Sequence, residues 1–457
     1  VNGTIKGGNG GANESNNTLA VHHDLTQQSY AGDFTGIKNL QFYLNEGITN
    51  ENPTILNLST TSKDIRGIDV GVGVNGLARG LKVNDVISLM KVAGNGTLTT
   101  DADNIAPPAP QTLVNHVETM QGVSLLYGFD IMKRSSNELI ATVTRAAISE
   151  ETKSFTETRA GATSFINGGA DLLAGAGMTS AKKEGRGDKD KDARGYHILA
   201  AMEQSGMTVK SGSYSDTQGY GLAVGWTREL GQTGSTLLFS PFVEYGKGKY
   251  DSFLDDGTHG SGKISYLGAG LMGRIERPDG LWLEAAMHGG RVRSDYMGTV
   301  SAGTVSTYDS GNAYYAAHIG IGKTRLLRMG DTLNTYLRYF YSRQDGVSAQ
   351  LNTGETYDFD AVASHRMRAG FTFLHREDTG KEIYAGLAYE YEFDGEGAAS
   401  VQGLATDSPA LRGGSTMVEL GYRFIPPDSR LSYHIHMAGW QGTRRGMTGN
   451  IQVSWAL

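Results

Sequence analysis

Ile451-Gln452-Val453-Ser454-Trp455-Ala456-Leu457 puts Ile451, Val453, Trp455 and Leu457 at alternate positions, with Gln452, Ser454 and Ala456 between them. A strand turns successive side chains to opposite faces, so this closing segment has one greasy face and one that is not. The same alternation recurs from about Gly195 onward, with no helices between strands to cover the greasy faces. Thr217 to Glu229 carries Leu222, Val224 and Trp226, and Thr236 to Gly246 carries Leu237, Phe239, Val243 and Tyr245. Leu283 and Met287 stand against Glu284 and His288. Leu337, Tyr339 and Tyr341 stand against Arg338 and Ser342, and Met367, Phe371 and Phe373 against Arg366, Arg368 and Thr372. Ile383, Leu387, Tyr389, Tyr391 and Phe393 oppose Glu382, Glu390 and Glu392. Val418, Leu420, Tyr422 and Phe424 oppose Glu419 and Arg423, and Tyr433, Ile435 and Met437 oppose His434 and His436.

The spacing predicts about twelve such strands. Their apolar faces are rich in aromatics, as girdles at a bilayer interface are. Their opposite faces carry Arg and Glu together, which lipid tails would not tolerate, so these must face a polar lumen. Short connections such as Leu230 to Gly234, Arg277 to Gly280, Arg328 to Asp331, Glu377 to Gly380 and Pro426 to Ser429 alternate with expected long loops. The long ones are Asp251 to Ser261, Ser294 to Asn312, Asp345 to Thr356 and Asp394 to Gly414. Short turns at one end and long loops at the other are the pattern of an outer-membrane barrel, whose closure leaves no sheet edge for lipid to meet. A soluble β-sandwich or a propeller would share the strand spacing but not this alternation of loop lengths.

Composition agrees with that reading without forcing it. The chain has 457 residues, 64 of them Gly and none Cys, so it has no disulfide framework and no thiolate metal site. The net charge of −7 argues against nucleic acid as a partner. Mean hydropathy is only −0.33, as a membrane barrel allows, because lipid sees every second side chain. The start at Val1, without a charged-then-apolar leader, leads us to expect a processed or truncated piece.

Ahead of the strands, Glu150 to Gly177 reads as a helix, with Phe155, Ala162, Phe165, Ile166, Ala170, Leu172 and Leu173 at helical spacing and Gly175 and Gly177 as its expected stop. Glu157, Arg159, Asn167 and Asp171 interrupt it, so it does not suit lipid but does suit a polar lumen. Lys182 to Arg194 is a charged linker whose signs nearly cancel. Val1 to Thr144 is β-rich with irregular spacing, as stacked β-helix rungs or a small sandwich would be, and Asn13 to Asn17 reads as a flexible end.

This order of parts resembles a classical monomeric autotransporter of type V secretion. Arg159-Ala160-Gly161 to Ala170-Asp171-Leu172-Leu173, Gly280-Leu281-Trp282-Leu283-Glu284 and Gly289-Gly290-Arg291-Val292 are similar to its helix and middle barrel strands. Gly122 to Tyr127 and Asn137 to Ala141 resemble the closing rungs of its β-helical passengers. The resemblance implies an all-β chain with a twelve-stranded transmembrane barrel, a lumenal α-helix and a preceding β-helix-like passenger end. It places the passenger end at 1–148, the lumenal helix at 149–178, the linker at 179–194 and the barrel at 195–457. It implies a Gram-negative cell outer membrane, with export and anchoring of the chain's own N-terminal passenger at the cell surface for virulence or adhesion. Outer-membrane lipid, the barrel-assembly machinery and periplasmic chaperones are the partners it implies, for a monomer. Glu157, Arg159, Asn167 and Asp171 would belong to the plug helix, and Ile451, Val453, Trp455 and Leu457 to the assembly-signal strand. Leu457 departs from the family's usual terminal aromatic, which Trp455 supplies two residues earlier.

Other chemistry fails on context. Gly268-Ala269-Gly270-Leu271-Met272-Gly273 fits a dinucleotide motif but lies within a strand pattern, and Gly322-Lys323-Thr324 lacks the first glycine of a phosphate loop, since Ala317 stands there. His434 and His436 share a face but lack a third ligand. No nucleophile elbow marks a barrel phospholipase or protease. The chain is therefore expected to need no cofactor or metal and to be no enzyme, the alternative being an outer-membrane pore or barrel enzyme without an export role. Some autotransporters cleave themselves by asparagine cyclisation in this helix. Asn167-Gly168 is the one candidate here and lacks the Asn-Asn pair, so a plug asparagine hydrogen-bonded to the wall is favoured.

Overall fold

The computed structural model describes residues 3–7, 16–24, 28–49, 52–77, 80–104, 112–181, 196–232, 235–301, 303–377, 380–424, 426 and 431–455. The charged linker 182–194, most of Asn13 to Asn17, and Leu457 lie outside these residues. The chain divides into two compact units, one of Val1–Glu150 with Thr353–Glu355 and Val401–Leu404, the other holding the remainder.

In the first unit, short strands stack in parallel. Thr18–His22, Asn39–Leu44 and Asp69–Val74 pair in register, as do Ser29–Ala31, Leu56–Leu58 and Val86–Val92. This is the β-helix-like arrangement, with Leu40, Phe42, Leu44, Val70, Val72 and Leu89 buried between the stacks. Antiparallel strands Thr112–Gln121, Leu125–Ser135 and Glu138–Ile148 cover one end by pairing onto Val86–Val92. Glu138 is the polar tie there. It accepts from Ser88 Oγ at 2.6 Å and from Arg134 Nη2 at 2.6 Å and Nε at 3.0 Å.

The second unit contains a closed antiparallel barrel of twelve strands. They are β1 (Tyr196–Lys210), β2 (Tyr214–Gln232), β3 (Ser235–Phe253), β4 (His259–Glu276), β5 (Leu281–Val300) and β6 (Thr304–Leu326), then β7 (Thr332–Gln344), β8 (Val362–Arg376), β9 (Lys381–Glu392), β10 (Gly413–Phe424), β11 (Leu431–Gly442) and β12 (Arg444–Trp455). Closure comes from β1 pairing with β12, Glu203 opposite Asn450 and Val209 opposite Arg444. The faces divide as the alternation requires. Trp226 (58% exposed), Val243 (58%), Met367, Phe371 and Tyr389 look outward, whereas Trp282 (1%), Glu284, Arg366, Arg368 and Glu390 are buried inside.

Two of the expected long loops are instead strand. Ser294 to Asn312 belongs almost wholly to β5 and β6, joined through residues 301–303, and Asp251 to Ser261 shrinks to 254–258 between β3 and β4. With 23 residues, β6 far exceeds the ~9–11 that cross a bilayer. Its far end therefore stands beyond the apolar band, where Thr307 and Asp309 follow Val305 on the outer face and break the hydrophobic period that marks a strand. Among the described connections between barrel strands, only 345–361 and 393–412 are long, and the first folds its own hairpin, Val347–Gln350 with Thr356–Phe359. At the opposite end the turns are tight. Gly280 there has φ +81°, and a Cβ would lie 2.0 Å from the Thr324 carbonyl oxygen, so only glycine closes that turn.

The helix is longer than its glycines suggest. A 3₁₀ turn, Glu150–Thr152, leads into α1 (Lys153–Leu172), which passes through a π-helical stretch, Leu173–Gly177, into α2 (Met178–Ala181). Gly175 and Gly177 do not stop it. Inside a walled bore the helix has little else with which to pair its backbone, and this outweighs the ~1 kcal/mol propensity cost of each glycine.

Val243→Arg, set in the apolar band, destabilises the folded barrel by about 2–4 kcal/mol, measured as unfolding in lipid vesicles. At Glu138, burial opposes ionisation, but the Ser88 and Arg134 bonds outweigh it and hold the carboxyl below its ordinary 4.5. Its contribution is thus complete above pH 4.5 and lost as pH falls through the lowered native value. In urea unfolding followed by far-UV circular dichroism, the stability gap between wild type and Glu138→Gln is constant above that pH and narrows below it.

Candidate functional site

The site is the barrel lumen with the helix in it. All four polar residues singled out in the helix meet the lumen-facing side chains or the loops of the barrel.

Asp171 is the most heavily bonded. Its Oδ1 accepts from Arg366 Nη1 at 3.0 Å and Arg368 Nη2 at 2.6 Å, and its Oδ2 from Arg444 Nη2 at 2.9 Å. Glu390, directly opposite Arg368 on the neighbouring strand, shares the same three cations, at 3.2 Å from Arg366, 2.7 Å from Arg368 and 2.7 Å from Arg444. Three guanidiniums and two carboxylates are thereby buried in one network. Trp440 lies under Arg444 at 4.1 Å, and Phe340 under Arg366 at 4.7 Å and Arg368 at 4.8 Å. Such planes suit arginine, whose weakly hydrated fork stacks and pairs at once. Strand parity makes the cluster: Arg366 and Arg368 are two apart on β8 and so share the inner face.

Asn167 sits one turn earlier. Its Oδ1 accepts from Ser342 Oγ at 2.6 Å, its Nδ2 donates to Ser364 Oγ at 2.9 Å, and its carbonyl oxygen accepts from Arg366 Nη2 at 3.3 Å. Both ends of the amide are held by the wall. Glu157 accepts from Ser211 Oγ at 2.8 Å and from Ser213, in the tight β1–β2 connection. Arg159, fully buried, meets no carboxylate among the described residues; its Nη2 donates to the carbonyl oxygens of Asp345 (2.6 Å) and Asp360 (3.0 Å) in the 345–361 loop. Around the helix start, Phe155 packs edge-on to Tyr296 at 5.1 Å and Tyr357 at 5.0 Å, and Tyr308 donates to its carbonyl oxygen at 2.6 Å.

Close approach is made possible by small residues. A Cβ at Gly219 or Gly248 would lie 2.8 or 3.0 Å from the Phe165 ring, so two wall glycines make the notch that receives it. Elsewhere the wall satisfies itself. Glu284 pairs with Arg274 and Arg338, both at 2.7 Å, with Trp282 under Arg274 at 4.0 Å. Glu244 meets His288 at 2.6 Å, and Glu382 meets Arg423 at 2.8 Å. His434 and His436 are spent on Tyr384 (2.9 Å) and Glu419 (3.1 Å). Gly268 to Gly273 runs through β4 and Gly322-Lys323-Thr324 through β6, both as plain strand.

Of the terminal-strand residues, Ile451 opposes Ile435 and is exposed on the outer face. Val453 and Trp455 pair with Tyr433 and Leu431 in backbone register, but the orientation of their side chains lies outside the described residues. Sequence reasoning named the helix side of this site and most of the wall, but missed Arg444, Ser211 and Ser213. Arg444 opens a strand directly after a one-residue connection, so no long periodic run precedes it to fix its face.

The autotransporter β-domain family model matches residues 199–432, just over half of the chain. Among solved structures, the β domain of the Bordetella autotransporter BrkA is 15% identical, the alignment covering 57% of this chain and 99% of that one with a TM-score of 0.48. The translocator domain of NalP from Neisseria meningitidis is 13% identical, with 67% and 99% covered and a TM-score of 0.49. The transport unit of AIDA-I from Escherichia coli is 12% identical, with 64% and 99% covered and a TM-score of 0.43. No curated protein sequence matches the chain.

Asp171→Asn strands three buried guanidiniums with one carboxylate between them. Breaking a buried pair in this way costs about 3–5 kcal/mol. The helix is then held less tightly, and hydrogen exchange across 160–175 speeds up by at least tenfold while the barrel strands stay protected. Unchanged exchange contradicts the clamp.

Proposed function

The chain belongs to the autotransporter β-domain family, and on that premise we propose that its outer-membrane barrel exports its own N-terminal passenger and then anchors it at the cell surface, with α1 left in the bore as a plug. The observation that carries this reading is the helix itself. An α-helix is about 10–12 Å across, and this one is bonded to the wall along its length, from Glu157 and Arg159 through Asn167 to Asp171. A segment joined at its N-terminal side to a β-helix-like unit and at its C-terminal side to β1 is what a passenger leaves in the lumen once it has passed.

The β-domain acts as a transport module, and whatever activity the protein has outside the cell belongs to its passenger. The barrel works as a monomer, delivered by periplasmic chaperones and inserted by the barrel-assembly machinery. Strand β12, with Ile451, Val453 and Trp455, is the signal that machinery reads, because it is also the strand that must find β1 to close the ring.

Deleting residues 150–177 empties the bore. Single-channel conductance in planar bilayers then rises several-fold over the intact chain. Equal conductance would mean that the helix does not block the lumen, and a barrel already open with its helix in place would favour a diffusion pore.

A further inference from the structure

The outer wall of the barrel is apolar through its middle and gathers a cluster of cations on β3, β4 and β5. On β3, counting from the short-turn end, Phe239 and Val243 face outward, then Lys247 and Lys249. On β4 and β5 the outward positions at the same height are Lys263, Ser265, Arg291 and Arg293. From Phe239 to Lys247, the first cation on β3, is ~26 Å along the strand at ~3.3 Å per residue, or ~20 Å once the strand is tilted by ~40°. That is most of one ~25 Å apolar band, so the cations stand at its outer edge, within snorkelling reach of the headgroup layer. They lie toward the end that carries the two long loops, the outer-leaflet side of such a barrel.

The pairing register gathers them. Ser265 stands directly between Lys247 on one neighbour and Arg293 on the other, Lys249 is opposite Lys263, and Arg291 is opposite Leu267. Direct cross-strand neighbours are ~4.5–5.5 Å apart and diagonal ones ~7–8 Å. One small hydroxyl side chain is therefore ringed by Lys247, Lys249, Lys263, Arg291 and Arg293, all five exposed. None of the five has an ion pair among the described residues, whereas Arg343 on the same rim pairs with Asp345 at 3.3 Å. Three carboxylates border the patch: Asp251, one step nearer the loops, is paired with His259 at 3.5 Å; Asp295, level with Lys263, accepts the Lys263 main-chain N–H at 2.7 Å; and Asp309 stands opposite Asp295 on β6. Like charges placed directly opposite each other, as Lys249 and Lys263 are, destabilise a sheet unless an anion lies between them.

We propose that this patch binds a phosphorylated lipid headgroup of the outer leaflet, with the phosphate seated over Ser265, the five cations around it, and the acyl chains lying down the wall past Val243, Leu267 and Met287. The wall below is already in contact with lipid, and phosphate is the anion that lipid presents at this depth. The site does not depend on whether the barrel exports a passenger.

The test uses the full chain in detergent micelles, titrated with bisphosphorylated lipid A and followed by native mass spectrometry. Two variants are compared after their fold is confirmed by heat-modifiable mobility: K249Q/R293Q, which removes two cations, and S265D, which keeps all five but puts a carboxylate at the centre. Wild type retains the lipid, both variants bind at least tenfold more weakly, and dephosphorylated lipid A binds at the variants' level. The proposal is overturned if either folded variant binds as well as wild type, or if dephosphorylated lipid A binds as well as the phosphorylated form. It is equally overturned if inorganic phosphate at the same concentration displaces the lipid, because the site would then be a general anion site.

Discussion

Strand alternation in a closed ladder is the constraint from which everything else follows. Once β1 pairs with β12 there is no edge, and each strand must send one set of side chains to lipid and the other inward. The inward set of this chain is full of Arg and Glu. None of these can reach water on the outside, so their partners must come from within the bore: opposite charges for most, hydroxyl and main-chain donors for Glu392. Glu284 between Arg274 and Arg338, and Glu382 beside Arg423, show the wall doing this alone. At Arg366, Arg368 and Arg444 the wall supplies only Glu390, and Asp171 of the helix supplies the rest.

Helix and wall are therefore complementary in charge as well as in shape. The helix is buried on every side, which in a soluble protein would demand apolar residues all round. Here Glu157, Arg159 and Asn167 are as buried as Phe155 and Ile166, because the surface they face is hydroxyl, amide and carbonyl. Wall glycines admit Phe165, and the aromatic groups around Phe155 close the other end. The outer face follows the opposite rule. It is apolar through the bilayer, and on β3, β4 and β5 it gathers cations at its outer edge.

Much of this was legible in the chain. Leu283 and Met287 against Glu284 and His288, or Tyr389 against Glu390, fix which way a strand faces before any neighbour is known. The helix was legible from its period, and its need for a polar bore from Asp171 and Arg159. What sequence could not supply was partnership over distance: that Asp171 meets Arg444, or that Glu157 meets Ser211, depends on where the ring closes. The loops were misread for a local reason. Ser294 to Asn312 rises clear of the apolar band, where Asp295, Thr299, Thr307 and Asp309 interrupt the outward row and leave only Met297 and Val305 as large apolar residues in it, so its strand period is hidden. In the N-terminal unit the rungs are three to seven residues long, too short for a period to declare itself between the bends.

Two tryptophans offer the most direct measurement. Trp226 faces outward and Trp282 is sealed in the lumen beside Arg274. In vesicles of lipid brominated along the acyl chains, variants keeping only one or the other are compared. Strong quenching of Trp226 with Trp282 untouched is the result this account requires; quenching of Trp282 to the same degree, or none at Trp226, would mean that the greasy face is not the outer wall.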